Sequence, residues 1–346
     1  MSAMYRLIRF SCLILTFAFT THLTLASNVG APKSPQQYGA KGDGIADDTA
    51  AFRKCLAEND NVLLYGTYKV SATQPIRSGQ NIESQSARIV GKASPFLLAD
   101  QVDDWVIQGK LSIVGEGNKG GNDIGLHVIG GKRYRVTGMV ISGISGFGLK
   151  ITEGTHLPYA CSDAGTFTDC AFLSNQCGVE TTPLRGTEYI NFNNITCGSN
   201  NVGAAIGSGN INWVGGNITN NQVGIILGGT LAQNNSHGMF TSVNINHNVD
   251  YNLISINADY GHSFTACHFY GEKRGSIKIE KSKGLSFANC IIDGEFRVVD
   301  DFGFHLLQGC QLEKSFMLTV SNRNRVGIVQ CFDKTTGWHA ENDKLP

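Results

Sequence analysis

Charged side chains recur at matching positions of short repeated segments along the chain. When these segments are aligned, one outward column contains Lys150, Glu180, Lys278 and Arg297, and Glu280 lies beside it. A carboxylate or an amine within reach of a substrate proton can act as a general acid or base, and an arginine can clamp an anionic group. Glu280 and Lys278 are therefore candidate catalytic residues. Arg297, Glu180 and Lys150 are candidate substrate-binding residues. The alternative is that all of them are ordinary solvent-exposed charges.

A second group of candidates occupies the polar turn from Asn257 to His262. Asp259 is a further acid/base candidate, and Tyr260 and His262 are candidate substrate-binding residues beside it. No Cys-x-x-Cys or Cys/His spacing indicates zinc, so neither a metal nor a cofactor is predicted. Three histidines belong to no recognisable constellation and are interpreted as loop or surface residues: His237, His247 and His268.

The elements that must position these candidates are short repeated strands. Four segments place a cysteine between apolar residues in the same way: FTDCAF, FTACHF, FANCII and LQGCQL. The cysteines from Cys267 to Cys331 follow one another at intervals of 20 to 23 residues. This period, with strands that alternate inward and outward, predicts an all-β parallel β-helix of about ten coils and not a leucine-rich repeat. The cysteines are expected to form an inward apolar column of mostly reduced thiols, although their stacking leaves disulfides open.

The first 26 residues have the features of a cleaved signal peptide. Arg6 and Arg9 precede an apolar stretch, and small residues end at Ala26 before Ser27. We therefore expect a secreted protein, extracellular or periplasmic, with no stable membrane span after cleavage. The chain carries 28 basic and 28 acidic residues without a basic block, which argues against a nucleic-acid partner. A monomer is expected, with a trimer as the alternative.

The segment YGAKGDGIADDTAAF, residues 38–52, is predicted to begin the fold. Asp48 is the expected N-cap of a helix from Thr49 to about Ala57, whose buried face holds Phe52, Cys55 and Leu56. The following NVLLYGTYKVS is predicted to form a strand, a turn and a strand. The first coil of a solenoid needs a covering element, so we interpret residues 27–103 as the cap and first coils, continuous with a β-helix over 104–346.

This segment resembles the N-terminal signature of the pectate-lyase-like superfamily of right-handed parallel β-helices, which includes polygalacturonases, rhamnogalacturonases, other polysaccharide lyases and phage tailspike depolymerases. The resemblance covers roughly residues 36–100, with Tyr65 where the family usually has proline. It implies a polysaccharide ligand, acidic chains included, in a groove on a parallel sheet. It also implies a structural role for Asp43, Asp47 and Asp48.

The resemblance further implies an exported enzyme that degrades glycans by lyase or glycoside hydrolase chemistry. Hydrolysis needs two carboxylates beside the scissile bond, whereas elimination needs a base beside a uronic acid. The successive catalytic motifs of polygalacturonases are not present in the sequence. A second hypothesis is therefore kept, that of a non-catalytic glycan-binding or structural β-helix protein of the cell envelope.

Overall fold

The computed structural model describes residues 31–117, 120–155, 162–182, 187–228, 237–258, 261–271, 275–299, 303–321, 325–335 and 337–338. They form an all-β, right-handed parallel β-helix of about eleven coils, which confirms the predicted fold class. Each coil contributes one strand to an eleven-stranded sheet and then crosses a second, bent sheet. The predicted signal peptide lies outside the described residues.

The eleven-stranded sheet is parallel throughout, and its strands alternate between inward buried residues and outward half-buried ones. In chain order they are Gln74–Pro75, Leu97–Asp100, Ile124–Ile129, Phe147–Thr152, Cys177–Thr181, Val202–Ile206, Val223–Gly228, Tyr251–Ile256, Ile277–Glu280, Glu295–Val299 and Met317–Val320.

The bent sheet has a first arm and a second arm, which meet at a corner in each coil. Four long strands pass through this corner: Asn81–Gly91, Val106–Val114, Asn191–Gly198 and Ile211–Thr219. The other first-arm strands are Asn61–Leu64, Arg135–Thr137, Thr166–Thr168, Gly238–Thr241, His262–Thr265, Ser286–Ala288, His305–Gln308 and Val326–Val329. The other second-arm strands are Asp43–Asp47, Thr67–Val70, Met139–Ser142, Ala171–Leu173, Asn244–Asn248, His268–Gly271, Ile291–Asp293, Gln311–Leu312 and Phe332–Asp333. Gly337–Trp338 pairs antiparallel with Phe332–Asp333, and a small sheet joins Ser162–Asp163 to Thr187–Glu188.

One left-handed residue turns the chain at the corner between the two arms. Its φ lies between 50° and 87° at Ser86, Gly109, Gly138, Asp169, Asn194, Gly215, Ser242, Ala266, Asn289, Gly309 and Gln330. In the last four coils the next residue is Cys267, Cys290, Cys310 or Cys331, and all four are buried and free. The predicted inward column of reduced cysteines is therefore confirmed.

An aromatic column packs behind the first arm. Phe192, Trp213 and Phe240 occupy matching positions of successive strands, with ring centroids 4.6 and 5.9 Å apart. Phe167 continues this buried column on one side, and Phe264 and Phe287 continue it on the other. Because these large rings fix the spacing of the coils, the outward residues beside them stand on a rigid support.

Buried asparagines form a ladder at the corner that leads from the second arm to the eleven-stranded sheet. Asn221 accepts the backbone N–H of Asn200 through Oδ1 at 2.9 Å, and its Nδ2 donates to the Cys197 carbonyl at 3.0 Å. Asn175 and Asn248 repeat this arrangement. A Cβ at Gly203 would lie 2.9 Å from Asn221 Nδ2, so the neighbouring glycine leaves room for the ladder.

The N-terminal cap consists of a 3-10 helix, Pro35–Tyr38, and an α-helix, Thr49–Glu58. The predicted helix and its buried face of Phe52, Cys55 and Leu56 are confirmed. The strand–turn–strand prediction is also confirmed, with strands Asn61–Leu64 and Thr67–Val70.

Asp48 occupies the predicted N-cap position of the helix, but its side chain does not cap it. Its carboxylate accepts the backbone N–H groups of Lys41 and Gly42, at 2.7 and 3.0 Å, and makes no hydrogen bond to the helix. Asp47 accepts the Thr49 N–H at 2.9 Å instead. One aspartate binds the glycine turn and the other binds the start of the helix, because the backbone N–H groups of both need hydrogen-bond acceptors.

The corner from the eleven-stranded sheet to the first arm differs in length from coil to coil. Residues 207–210 make this connection in one coil, whereas residues 153–165 make it in another. The variable connections all reach the first arm at the beginning of its strands.

Candidate functional site

A groove with a cavity volume of about 620 Å³ crosses the beginning of the first-arm strands in five consecutive coils. At about 4.8 Å per strand, the groove is about 19 Å long. Its lining residues are Tyr189, Asn191, Asn210, Ile211, Asn212, His237, Gly238, Met239, Gly261, His262, Ser263, Gly284 and Ser286.

The chain turns sharply before each strand that enters the groove. Tyr189 and Asn210 have φ values of 56° and 52° at this turn, and Gly261 and Gly284 take the equivalent place in later coils with 78° and 66°. A Cβ on Gly261 would lie 2.4 Å from the Gly284 carbonyl oxygen, so a side chain is excluded there. Tyr189 is 59% exposed, which leaves its ring available to a ligand.

The floor of the groove is a row of outward residues in matching positions of the five strands. Asn191, Asn212, Met239, Ser263 and Ser286 pair successively along this row. The amide of Asn212 donates to Asn191 Oδ1 at 3.2 Å. The row therefore offers amides and hydroxyls at a spacing of one strand.

His262, a predicted substrate-binding residue, lies beneath this floor and lines the groove. Its side chain is buried, with the ring centroid 5.9 Å from that of Phe240. Burial and, to a smaller extent, the nearby His237 lower the pKa of His262 to about 3. The imidazole is therefore neutral at physiological pH and shapes the groove from below.

The residues that precede Gly261 in sequence are the candidates Asp259 and Tyr260, which lie outside the described residues. Their roles remain predictions. At the other end of the groove, the Asn210 amide donates to Glu188 at 3.1 Å. Glu188 is thus an acid near the rim of the groove, and it is held by an amide of the lining.

The predicted charged column lies on the eleven-stranded sheet, away from the groove lining. Lys150 pairs with Glu180 in register and Lys278 pairs with Arg297, which confirms the alignment. Three apolar residues separate the two pairs: Ala205, Ile226 and Ile254. At about 4.8 Å per strand, Glu180 and Lys278 are about 19 Å apart along the sheet, so the column is not one site.

Each half of this column is an ion pair on a half-buried surface. Lys150 contacts Glu180 and Lys278 contacts Glu280, both at 2.9 Å. The hydrogen bond and positive charge of Lys278 lower the pKa of Glu280. Glu280 therefore stays ionised at neutral pH, which suits a base and not an acid. Arg297 is exposed beside Lys278.

In one strand of this sheet the alternation of apolar residues in sequence predicts that Ile254 and Ile256 face inward and that Asn257 stands beside Glu280. This prediction is wrong, because Leu253 and Ser255 face inward. Ser255 is tolerated inside because its hydroxyl donates to Ser282 Oγ at 2.9 Å. In consequence Ile256, and not Asn257 as predicted, stands beside Glu280.

The groove residues escaped the sequence-based search because most of them have no titratable group. A usable signal was nevertheless present, since four first-arm strands place small or polar residues on both sides of a phenylalanine, as in Asn191–Phe192–Asn193. A search for such triplets at coil spacing would have found the floor of the groove.

The described residues contain no group of three or more His, Cys, Asp and Glu side chains arranged to hold a metal ion. None of the helices in the described ranges has the length and hydropathy of a membrane span. A smaller cavity of about 290 Å³ lies near the cap, beside Lys92 and Glu116, and neither cavity is lined by Lys278 or Glu280.

No protein-family model matches the chain, and no curated protein matches it significantly in sequence. Solved structures do. The A-module of a mannuronan C-5 epimerase from Azotobacter vinelandii has a TM-score of 0.63 and 13% identity over 89% of this chain and 93% of its own. Gene product 12 of bacteriophage phi29 has a TM-score of 0.64 and 15% identity over 87% of this chain and 52% of its own.

The catalytic unit of an α-1,3-glucanase from Streptomyces thermodiastaticus has a TM-score of 0.58 and 13% identity, over 87% of this chain and 69% of its own. At such identities the likeness concerns the fold. It confirms the fold that the N-terminal signature implies: this chain is a right-handed parallel β-helix.

Proposed function

We propose that this protein acts on a polysaccharide whose chain lies in the groove. The observation that carries the proposal is the row of two amides, one thioether and two hydroxyls across five coils, with the exposed ring of Tyr189 at one end. A sugar ring has hydroxyl groups at its edge and apolar faces, so it can hydrogen-bond to such a row and stack on an aromatic ring. One sugar ring would touch equivalent residues of two neighbouring coils.

The names of the similar structures support a glycan as the ligand. One acts on mannuronan and another on an α-1,3-glucan, and both are built on the same type of coil. We further propose that the protein is secreted, because residues 1–26 carry the pattern of a signal peptide. N-terminal sequencing of the exported protein should then begin near Ser27.

For the chemical step, we propose glycan degradation with Asp259 as the acid or base, because it lies two residues before Gly261 in sequence and Gly261 lines the groove. Glu280 and Lys278 remain the competing catalytic prediction on the eleven-stranded sheet. Among the described residues that line the groove there is no carboxylate, which supports a non-catalytic glycan-binding protein as the second candidate function.

Binding is tested first, with a panel of soluble polysaccharides and calorimetric titration. Tyr189→Ala and Asn212→Ala should each weaken binding about tenfold or more. Asn217→Ala is the matched control, because Asn217 is an exposed residue of the same long strand but lies in the second arm. Equal affinities for all three variants would contradict the groove as the binding site.

Turnover is tested next, by following reducing ends and unsaturated uronates. Asp259→Asn should lower turnover about 100-fold with binding retained if the chemistry is in the groove. A comparable loss in Glu280→Gln or Lys278→Met would place it on the eleven-stranded sheet instead. Binding without any product in the unmodified protein would establish the glycan-binding candidate.

A further inference from the structure

The outward face of the first arm carries no charged side chain over six consecutive coils. From Thr166 to Ala288, each strand contributes two outward residues that flank a buried aromatic one. These twelve residues are Thr166, Thr168, Asn191, Asn193, Asn212, Val214, Met239, Thr241, Ser263, Thr265, Ser286 and Ala288. The groove is the part of this face that is closest to the variable corner.

The coil itself does not exclude charged residues from its outward positions. Charged residues make up 16% of the chain, and a folded protein places nearly all of them on its surface. The eleven-stranded sheet carries Lys150, Glu180, Lys278 and Arg297 on the corresponding outward positions. Outward positions of this coil therefore do accept charges, and those of the first arm lack them over about 24 Å.

The groove lining also contains two imidazole side chains, those of His237 and His262. His262 is buried, and burial keeps its ring neutral at physiological pH. His237 is half-buried and directly precedes Gly238. One imidazole faces a groove that spans five coils.

An acidic polysaccharide would bring several anionic groups into this groove. Removing carboxylates or sulfates from water is costly unless cations or several hydrogen-bond donors replace the hydration, and proteins commonly use arginine or lysine for this purpose. A neutral glycan needs only hydrogen bonds and apolar contact, which amides, hydroxyls, Tyr189 and Met239 supply. Tyr189 and Met239 are 59% and 54% exposed.

We propose that the groove selects neutral polysaccharides and discriminates against polyuronates and sulfated glycans. This inference rests on the proposed function, since it names the substrate class of the same groove. It also departs from the sequence-based expectation, which included acidic chains. The exposed lysines Lys281 and Lys283 follow Glu280 and precede Gly284 at the rim, so the test must separate their effect from that of the floor.

The experiment compares polysaccharide pairs that share a backbone and differ in charge: hydroxyethylcellulose with carboxymethylcellulose, and dextran with dextran sulfate. The third pair is polymannuronate and the neutral β-1,4-mannan obtained by reducing its carboxyl groups. Affinity is measured at low and high salt. In the pair that binds, the neutral member should bind at least about tenfold more tightly, and its affinity should be insensitive to salt, because no ion pair is involved.

Asn212→Lys should raise affinity for the acidic member of that pair, whereas Asn217→Lys, on the same strand outside the groove, should not. Tighter, salt-sensitive binding of the acidic member that survives Lys281→Met and Lys283→Met would overturn the neutral class and leave the proposed function standing. If Lys281→Met and Lys283→Met abolish the tighter binding of the acidic member, that binding is due to the rim lysines, and the floor retains its preference for neutral glycans. Failure of every member to bind would overturn the proposed function itself.

Discussion

Replacement of Asn221 by alanine should destabilise the protein more than its single side chain suggests. Asn221 is fully buried, and its Oδ1 accepts the Asn200 N–H at 2.9 Å while its Nδ2 donates to the Cys197 carbonyl at 3.0 Å. The alanine variant leaves that N–H without its acceptor and removes a donor from that carbonyl. The Asn200 side-chain amide loses its bond to Asn221 Oδ1 at 2.9 Å but keeps its bond to the Phe172 carbonyl at 3.0 Å, so it adds little to the loss.

The expected magnitude follows from these groups. An unsatisfied buried N–H costs about 1 to 3 kcal/mol, and the weakened carbonyl adds about 1 kcal/mol. We therefore expect Asn221→Ala to lower the free energy of unfolding by about 2 to 4 kcal/mol. The exposed Asn217, four residues earlier, provides the control, and Asn217→Ala should change stability by about 0.5 kcal/mol or less.

Urea unfolding followed by circular dichroism measures both variants. Hydrogen exchange adds a local readout, because the Asn200 amide should exchange faster in Asn221→Ala while amides of distant coils stay protected. If Asn221→Ala lowers the free energy of unfolding no more than Asn217→Ala does, water replaces the lost hydrogen-bond partners, and the asparagine ladder is not sealed from solvent.

Three further predictions concern buried thiols, a buried imidazole and the cap. Cys267→Ser and Cys290→Ser should each lower stability by about 1 to 3 kcal/mol in thermal or urea unfolding, because a hydroxyl replaces a thiol in an apolar column; unchanged stability would mean that the column is not sealed. The pKa of His262 is about 3 in the folded protein and near 6.5 in the unfolded chain. Between these two pH values the unfolded chain binds one proton more than the folded protein, so the free energy of unfolding should fall by about 1.4 kcal/mol for each pH unit below 6.5. His262→Gln should flatten that slope, and an unchanged slope would assign it to another group. Hydrogen bonds from Thr49 and Ser71 lower the pKa of Asp47 to about 2, so the stability deficit of Asp47→Asn should be complete above pH 4 and shrink as the pH falls toward 2; a deficit independent of pH would contradict this.

The coils could be predicted from the sequence because the pattern of each coil depends on residues that are close together in the chain. The spacing of Cys267 and Cys290 reports the length of one turn, and the cap helix reports its own amphipathic face. The sequence-based prediction failed where a partner from another coil decides the outcome. Ser255 faces inward because Ser282 accepts its hydrogen, and that pairing spans a coil.

The candidate site shows a different limit. A search for titratable side chains located the ion pairs of the eleven-stranded sheet, which are visible as Lys and Glu in sequence. The groove depends on where neutral residues such as Asn212 and Ser263 stack, and no single one of them stands out by type. Their arrangement becomes apparent once the register of the strands is known.

The unequal corners of the coil also determine where this architecture can change. The corner between the arms and the asparagine corner are tied to their neighbours residue by residue, so an insertion there would disturb the coils on both sides. The connection into the first arm already ranges from residues 207–210 to residues 153–165 without a break in strand pairing. New loops can therefore be grafted onto one edge of the rod, where they would rebuild the wall of the groove while the floor and the core keep their form.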